Sequence, residues 1–294
     1  MILMVKIMNI ENIIGNTYVV KGHTNVGIYK INDHDIYLID TGFGIKFGKL
    51  LLNLLKENNF NVVAIINTHS HVDHIGGNKI IQDEFNCPIY IGGLEKGMIE
   101  NTQIEPSALT GCLPNKFIKN YWFAENAVAR DIKDFKGELE IIDLKGHSAN
   151  MIGVKTKDDV VFLGDALVDT NKTKIGYIYD IAEYKNALKK LKSLQASYYV
   201  FSHTEIYKNI KEIIDLNIKA VQNLEQFIIN NVNNLCFEEL LSKIFYNYNI
   251  EFNLIQYYII GTTIKSYLSY LVDNDKIAIN YNKNKLIYTV NTCE

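Results

Sequence analysis

Residues 68–78 read THSHVDHIGGN, and within them His69, His71, Asp73 and His74 put four metal-binding side chains into six positions. Five of the seven histidines lie here or at two later places, Gly146-His147-Ser148 and Ser202-His203-Thr204. A lone carboxylate follows in Leu163-Gly164-Asp165. So rare a residue used in this way points to a metal site, and the spacing suggests two ions.

The preceding residues 61–67 (NVVAIIN) are short, apolar and β-branched, the pattern of a buried strand. Thr68 then begins a loop at the strand's C-terminal end, and Gly76-Gly77 closes it before a helix predicted at about 78–86. In α/β sheets, ligands bind beyond the C-terminal ends of strands. A turning loop aims alternate side chains differently, so His69 and His71 can share one ion while Asp73 and His74 reach another. His147 and His203 follow strand-like runs at 138–144 (ELEIIDL) and 197–202 (SYYVFS), and Asp165 follows 159–163 (DVVFL). All these strand ends are expected to deliver ligands to one rim. Imidazole with carboxylate suits zinc, with manganese and iron(II) as alternatives.

HxHxDH, a later His, an Asp and a final His, in that order, resemble the metallo-β-lactamase superfamily, with no position missing. Ile39-Asp40-Thr41-Gly42, after a strand at 35–39, is similar to that family's first motif, in which the Asp supports the metal loop. Read on its own, Asp40 could equally cap a tight turn. The resemblance covers roughly residues 10–208. It implies an α/β (α+β) fold, a four-layer αβ/βα sandwich of two sheets faced by helices. It also implies that His69, His71 and His147 hold a first divalent ion, that Asp73, His74 and His203 hold a second, and that Asp165 bridges them. His23 and His34 match no part of the pattern and are expected in surface loops. Gly22-His23-Thr24-Asn25 joins two N-terminal strands, which could bring His23 near the mouth of the site.

The activity so implied is that of a binuclear metal-dependent hydrolase, in which a metal-bridged hydroxide attacks an ester-like bond. Asp73 or Asp165 is the candidate to take the nucleophile's proton. THSHVDHIGGN is close to the thioesterase (glyoxalase II-like) form of the motif, which favours a thioester or other acyl substrate. The C-terminal region lacks a basic cluster to grip glutathione carboxylates. The commonest β-lactamases carry Cys where Asp165 stands, which argues against antibiotic hydrolysis. Diiron flavoprotein oxidases of this fold carry Glu where His71 stands. A mononuclear-iron persulfide dioxygenase keeps the same ligands and stays open, as do lactonase and phosphodiesterase or ribonuclease activities.

The rest of the chain fits a small-molecule enzyme. With 294 residues it can form one large core and a smaller second unit, here expected to divide as 1–208 and 209–294. A net charge of −3 gives no general attraction to nucleic acid or anionic membranes. Cys87, Cys112, Cys236 and Cys293 form no CxxC pair, so free thiols and a cytoplasmic location are expected. The apolar stretch 254–272 is interrupted by Gly261, Thr262, Thr263, Lys265 and Ser266, which favours a buried helix over a membrane span. Residues 94–135 are the least regular. Phe117, Tyr121, Trp122 and Phe123 there either pack a helix on the sheet or, the reading favoured here, form a wall of the substrate pocket.

After His203, helices are predicted at 207–230 and 237–246, a shorter segment at 252–259, and a third helix at 262–273, then strands at 276–280 and 286–290. The pattern is winged-helix-like, and some hydrolases of the family carry such appendages. A nucleic-acid-binding version should place Lys and Arg on its third helix and wing. From residue 236 onward five Lys face six acidic groups, so a homodimer contact or a pocket lid is expected instead.

Overall fold

The apolar β-branched runs become strands. In the computed structural model, which describes residues 9–170 and 173–291, a first unit comprises the residues through Leu144 together with Ser148–Asp165 and Leu194–Ile210. Its first sheet has seven strands in chain order: β1 (Ile10–Ile14), β2 (Thr17–Val20), β3 (Val26–Lys30), β4 (Asp35–Ile39), β5 (Asn61–Ile66), β6 (Ile89–Ile91) and β7 (Ala129–Asp131). β1–β4 form an antiparallel meander, and β4–β7 pair in parallel. The second sheet runs β12-β11-β10-β9-β8, with β8 at Glu140–Asp143, β9 at Ile152–Lys155, β10 at Val160–Phe162, β11 at Tyr198–Val200 and β12 at Ile206–Tyr207.

The inner faces of the two sheets share one core. Tyr29, Tyr37, Ile39 and Ile66 of the first sheet cluster with Val154, Val160, Phe162 and Val200 of the second. The approach is close enough that a Cβ on Gly27 would stand 2.5 Å from the Phe162 ring. The helix α1 (Gly44–Glu57) buries Leu51, Leu52 and Leu55 at the 3–4-residue spacing of an apolar stripe. After β5 come the short α2 (Val72–Ile75) and α3 (Asn78–Phe85). The irregular stretch 94–135 resolves into α4 (Glu95–Glu100), α5 (Ile104–Thr110) and α6 (Lys116–Tyr121) ahead of β7.

The second unit comprises Lys145–His147, residues 166–193 and the chain from Lys211. It holds α7 (Ile181–Ser193), α8 (Lys211–Asn231), α9 (Phe237–Asn247), α10 (Leu254–Asp273) and a hairpin of β13 (Ile277–Asn282) and β14 (Lys285–Val290). Lys283 and Asn284 form the two-residue turn with φ of 46° and 64°, as a type I′ hairpin turn demands.

Two boundaries differ from the sequence expectation. The helix predicted from 207 begins at Lys211, because Ile206–Tyr207 pairs with β11. The segment at 252–259 and the helix at 262–273 are a single helix, α10. Gly261 weakens a helix by only about 1 kcal/mol, and no proline interrupts it. Thr263, fully buried, accepts from the Ile178 amide at 2.9 Å and donates to the Gly176 carbonyl at 3.0 Å. Its hydroxyl is thus satisfied by tertiary partners rather than marking an end. Among the described residues no helix is long and apolar enough to cross a membrane. Cys87, Cys112 and Cys236 carry free thiols, whereas Cys293 lies outside the described residues.

Candidate metal centre

Two turns at the ends of parallel strands are locked together backbone to backbone. After β4, Asp40 takes a left-handed conformation (φ 61°), which is costly for a non-glycine residue and persists where the surroundings enforce it. Thr41 N donates to the His74 carbonyl at 2.8 Å, and Gly76 N donates to the Gly42 carbonyl at 2.8 Å. A Cβ at Gly76 would stand 2.1 Å from the Gly44 nitrogen, so only glycine allows this approach. The Asp40 carboxylate accepts from Thr68 N (2.7 Å), Thr68 Oγ1 (2.8 Å) and His74 Nδ1 (2.8 Å). The functional reading of Asp40 and the turn reading both hold, since a turn residue props the loop.

With Nδ1 engaged by Asp40, His74 presents Nε2 inward. That atom is buried without a normal hydrogen bond and lies 3.5 Å from Asp165 Oδ1 and 3.7 Å from Asp73 Oδ2. His203 is aimed in the same manner: Nδ1 donates to the His23 carbonyl at 2.9 Å, and Nε2 stands 3.3 Å from both Asp73 Oδ2 and Asp165 Oδ2. Nε2 of the buried His69 and Nδ1 of His71 are 3.1 Å apart. Within the first unit the structure therefore brings His69, His71, Asp73, His74, Asp165 and His203 together. His147 lies on the Lys145–His147 stretch of the second unit, where its Nδ1 donates to the Tyr177 carbonyl at 3.0 Å.

Burial penalises the Asp73 and Asp165 carboxylates, but the surrounding imidazoles prevail and hold Asp73 below, and Asp165 well below, the usual carboxylate range. Burial opposes protonation of His203 as well, yet Asp165 and then Asp73 raise it to about 9. His74 is raised well above the ordinary histidine value for the same reason, with Asp73 and Asp40 outweighing burial.

A family model described as the metallo-beta-lactamase superfamily matches residues 19–203. The chain belongs to that superfamily. A Methanocaldococcus jannaschii protein named "Probable metallo-hydrolase MJ0888" is 28% identical over 153 residues, covering 52% of this chain and 66% of the relative. A hydroxyacylglutathione hydrolase of Shewanella baltica is 25% identical over 185 residues, covering 62% of this chain and 61% of its own length. The chain thus spans a little under two thirds of these relatives. A beta-lactamase domain protein from Burkholderia ambifaria shares the fold at a TM-score of 0.76 and 12% identity, covering 96% of this chain and 94% of that one.

Superfamily membership implies divalent metal, and the donors present fit it. Apposed imidazole nitrogens, a buried imidazole nitrogen without a normal hydrogen bond and two adjacent carboxylates are the donor set of a zinc-type site. In the first unit, His69, His74 and Asp165 form one group, and His23, Asp73 and His203 another, each offering ligand atoms within 4.8 Å of one another.

Three residues were not singled out by the superfamily pattern. Glu95, fully buried at the start of α4, accepts from Ser70 N, Ser148 Oγ and Asn150 N, each at 2.7 Å. It ties the loop bearing His69 and His71 to residues 148–150. Burial raises its pKa despite those three donors. Glu105 of α5 lies 3.6 Å from His71 Nε2, and burial, with Asp73 and Glu95 nearby, pushes its carboxyl well above the usual range. His23 is the third. An acidic residue in an irregular stretch has no periodicity to flag it, so only the folded chain shows where Glu95 and Glu105 point. The expected aromatic wall divides: Trp122 is buried, whereas Phe117, Tyr121 and Phe123 are exposed.

Proposed function

We propose that the protein is a metal-dependent hydrolase that binds two divalent cations, zinc first among the candidates, and cleaves a thioester or other acyl substrate. The observation that carries this reading is Nε2 of His74, buried without a normal hydrogen bond, turned inward by the contact of Nδ1 with Asp40, and flanked by Asp73 and Asp165. On this reading His69, His71 and His147 hold the first ion, Asp73, His74 and His203 the second, and Asp165 serves both. When bound, such ions supply a water activated near neutral pH and Lewis-acid polarisation of a carbonyl oxygen.

The chain's own groups do the remaining work. Asp40 fixes the orientation of His74, and the His23 carbonyl fixes that of His203, so neither ring has to reorganise during turnover. Asp73 or Asp165, each beside the His74 and His203 imidazoles, would take the proton released as the acyl carbon is attacked. The acyl preference rests on the glyoxalase II-like HxHxDH loop and on the names of relatives such as the Shewanella enzyme. Residues 209–294 we assign to an appendage whose charge balance disfavours nucleic acid.

Metal analysis of anaerobically purified protein, followed by assay on thioesters, lactones, phosphodiesters and persulfides, tests the reading. Two zinc per chain and hydrolysis of thioesters are the expected result. A single iron with persulfide oxidation would replace the hydrolase by a dioxygenase, and phosphodiester cleavage alone would move it to the nuclease side of the fold.

A further inference from the structure

The turn Gly22–Asn25 between β2 and β3 is joined to the loop that carries His203. Asn25 N donates to the Ser202 carbonyl at 2.7 Å, and Asn25 Nδ2 donates to the Phe201 and Thr204 carbonyls at 2.7 and 2.8 Å. The His203 ring in turn donates to the His23 carbonyl. Thr24 Oγ1 reaches Asp73 Oδ2 at 3.3 Å. The turn therefore touches both loops that bear Asp73 and His203 through groups other than the His23 imidazole, which packs against the Phe43 ring at 5.4 Å.

That imidazole lies with its centroid 5.4 Å from the His203 ring. A nitrogen of His23, a carboxylate oxygen of Asp73 and a nitrogen of His203 fall within 4.8 Å of one another, the span of a mixed imidazole–carboxylate metal group. The HxHxDH pattern has no position for a histidine this early in the chain.

We propose that His23 is a further ligand residue of the second ion, reaching it from the β2–β3 turn on the exposed side of the site. This inference rests on the two-ion reading above. On this reading His23 would join Asp73, His74, His203 and the shared Asp165 in holding the second ion.

The test is a zinc titration of chelator-stripped full-length protein, competed against a chromophoric chelator, comparing wild type with His23→Ala. The substitution spares the backbone carbonyl that orients His203, and the side chain is exposed, so folding is not at stake. Wild type should take two ions. His23→Ala should keep one at wild-type affinity and bind the other about tenfold or more weakly. The cobalt(II)-loaded variant should show an altered visible spectrum, and millimolar imidazole added to His23→Gly should restore it. If wild type binds two ions and His23→Ala binds both within twofold of wild type with an unchanged cobalt spectrum, the inference is overturned while the two-ion reading stands. A wild-type protein that binds a single ion overturns both.

Discussion

The loop from Thr68 to Asn78 and the segment from Leu94 to Phe135 both bring charged side chains to the same place, but they are held in very different ways. The first is clamped. Its glycine packs on the backbone of Gly42–Gly44, and its histidine is braced by a strained Asp40 that also accepts from Thr68 N and Oγ1. The second is anchored at its start by the buried Glu95, but its three short helices leave Leu113, Phe117, Tyr121 and Phe123 exposed, and Glu105 approaches His71 only at 3.6 Å. Rigid placement suits groups that must hold a fixed geometry through turnover, whereas selectivity is commonly carried on looser connections displayed by a rigid scaffold. On the proposed reading, chemistry falls to the clamped loop and substrate choice to the helical segment.

The severest challenge to that contrast is His74→Ala. It should lower kcat/KM on the order of a thousandfold and remove one equivalent of metal, and adding His203→Ala should cost little more, because ligands act as a unit. A double variant whose losses multiply would break the picture. Next in size is Asp40→Asn, which replaces an acceptor of the His74 Nδ1 proton with an amide able to face it the wrong way. A loss of about 10–100-fold in metal affinity is expected, read by chelator competition.

The pH dependence of the metal-free protein sharpens the electrostatic side. His203 is raised from the ordinary histidine value to about 9, so its folded state binds the proton more tightly than the unfolded chain does. The stabilisation is complete below the unfolded value and is lost as pH rises through about 9. The melting temperature of chelator-treated protein should therefore fall between neutrality and pH 10, and Asp165→Asn should flatten that fall. A wild-type curve that is flat in this window would refute the coupling.

The smallest effect is expected in the helical segment. Phe117→Ala should leave metal content unchanged and stability within about 0.5 kcal/mol, as for an exposed side chain, while shifting KM for long acyl thioesters several-fold. Loss of metal on this substitution would erase the distinction between the two regions.

The placement of the candidate ligands was legible from residue order because they sit where strands end. β5, β10 and β11 appear close to their predicted ranges, and a side chain immediately beyond a buried strand is carried to the sheet's rim whatever the intervening sequence does. The C-terminal helices were legible as helices but not in their limits. Gly261, Thr262 and Thr263 looked like an interruption, and only the Gly176 and Ile178 backbone groups that engage Thr263 show why α10 continues.

Sequence alone was enough for the superfamily and the two-sheet architecture, because strand patterning and the HxHxDH order are local properties. It could not assign Glu95, Glu105 or His23. Each lies far along the chain from the group it meets, 25 positions for Glu95 and Ser70 and 180 for His23 and His203. Contacts of that separation follow from how the turns pack, and packing is a property of the folded chain alone.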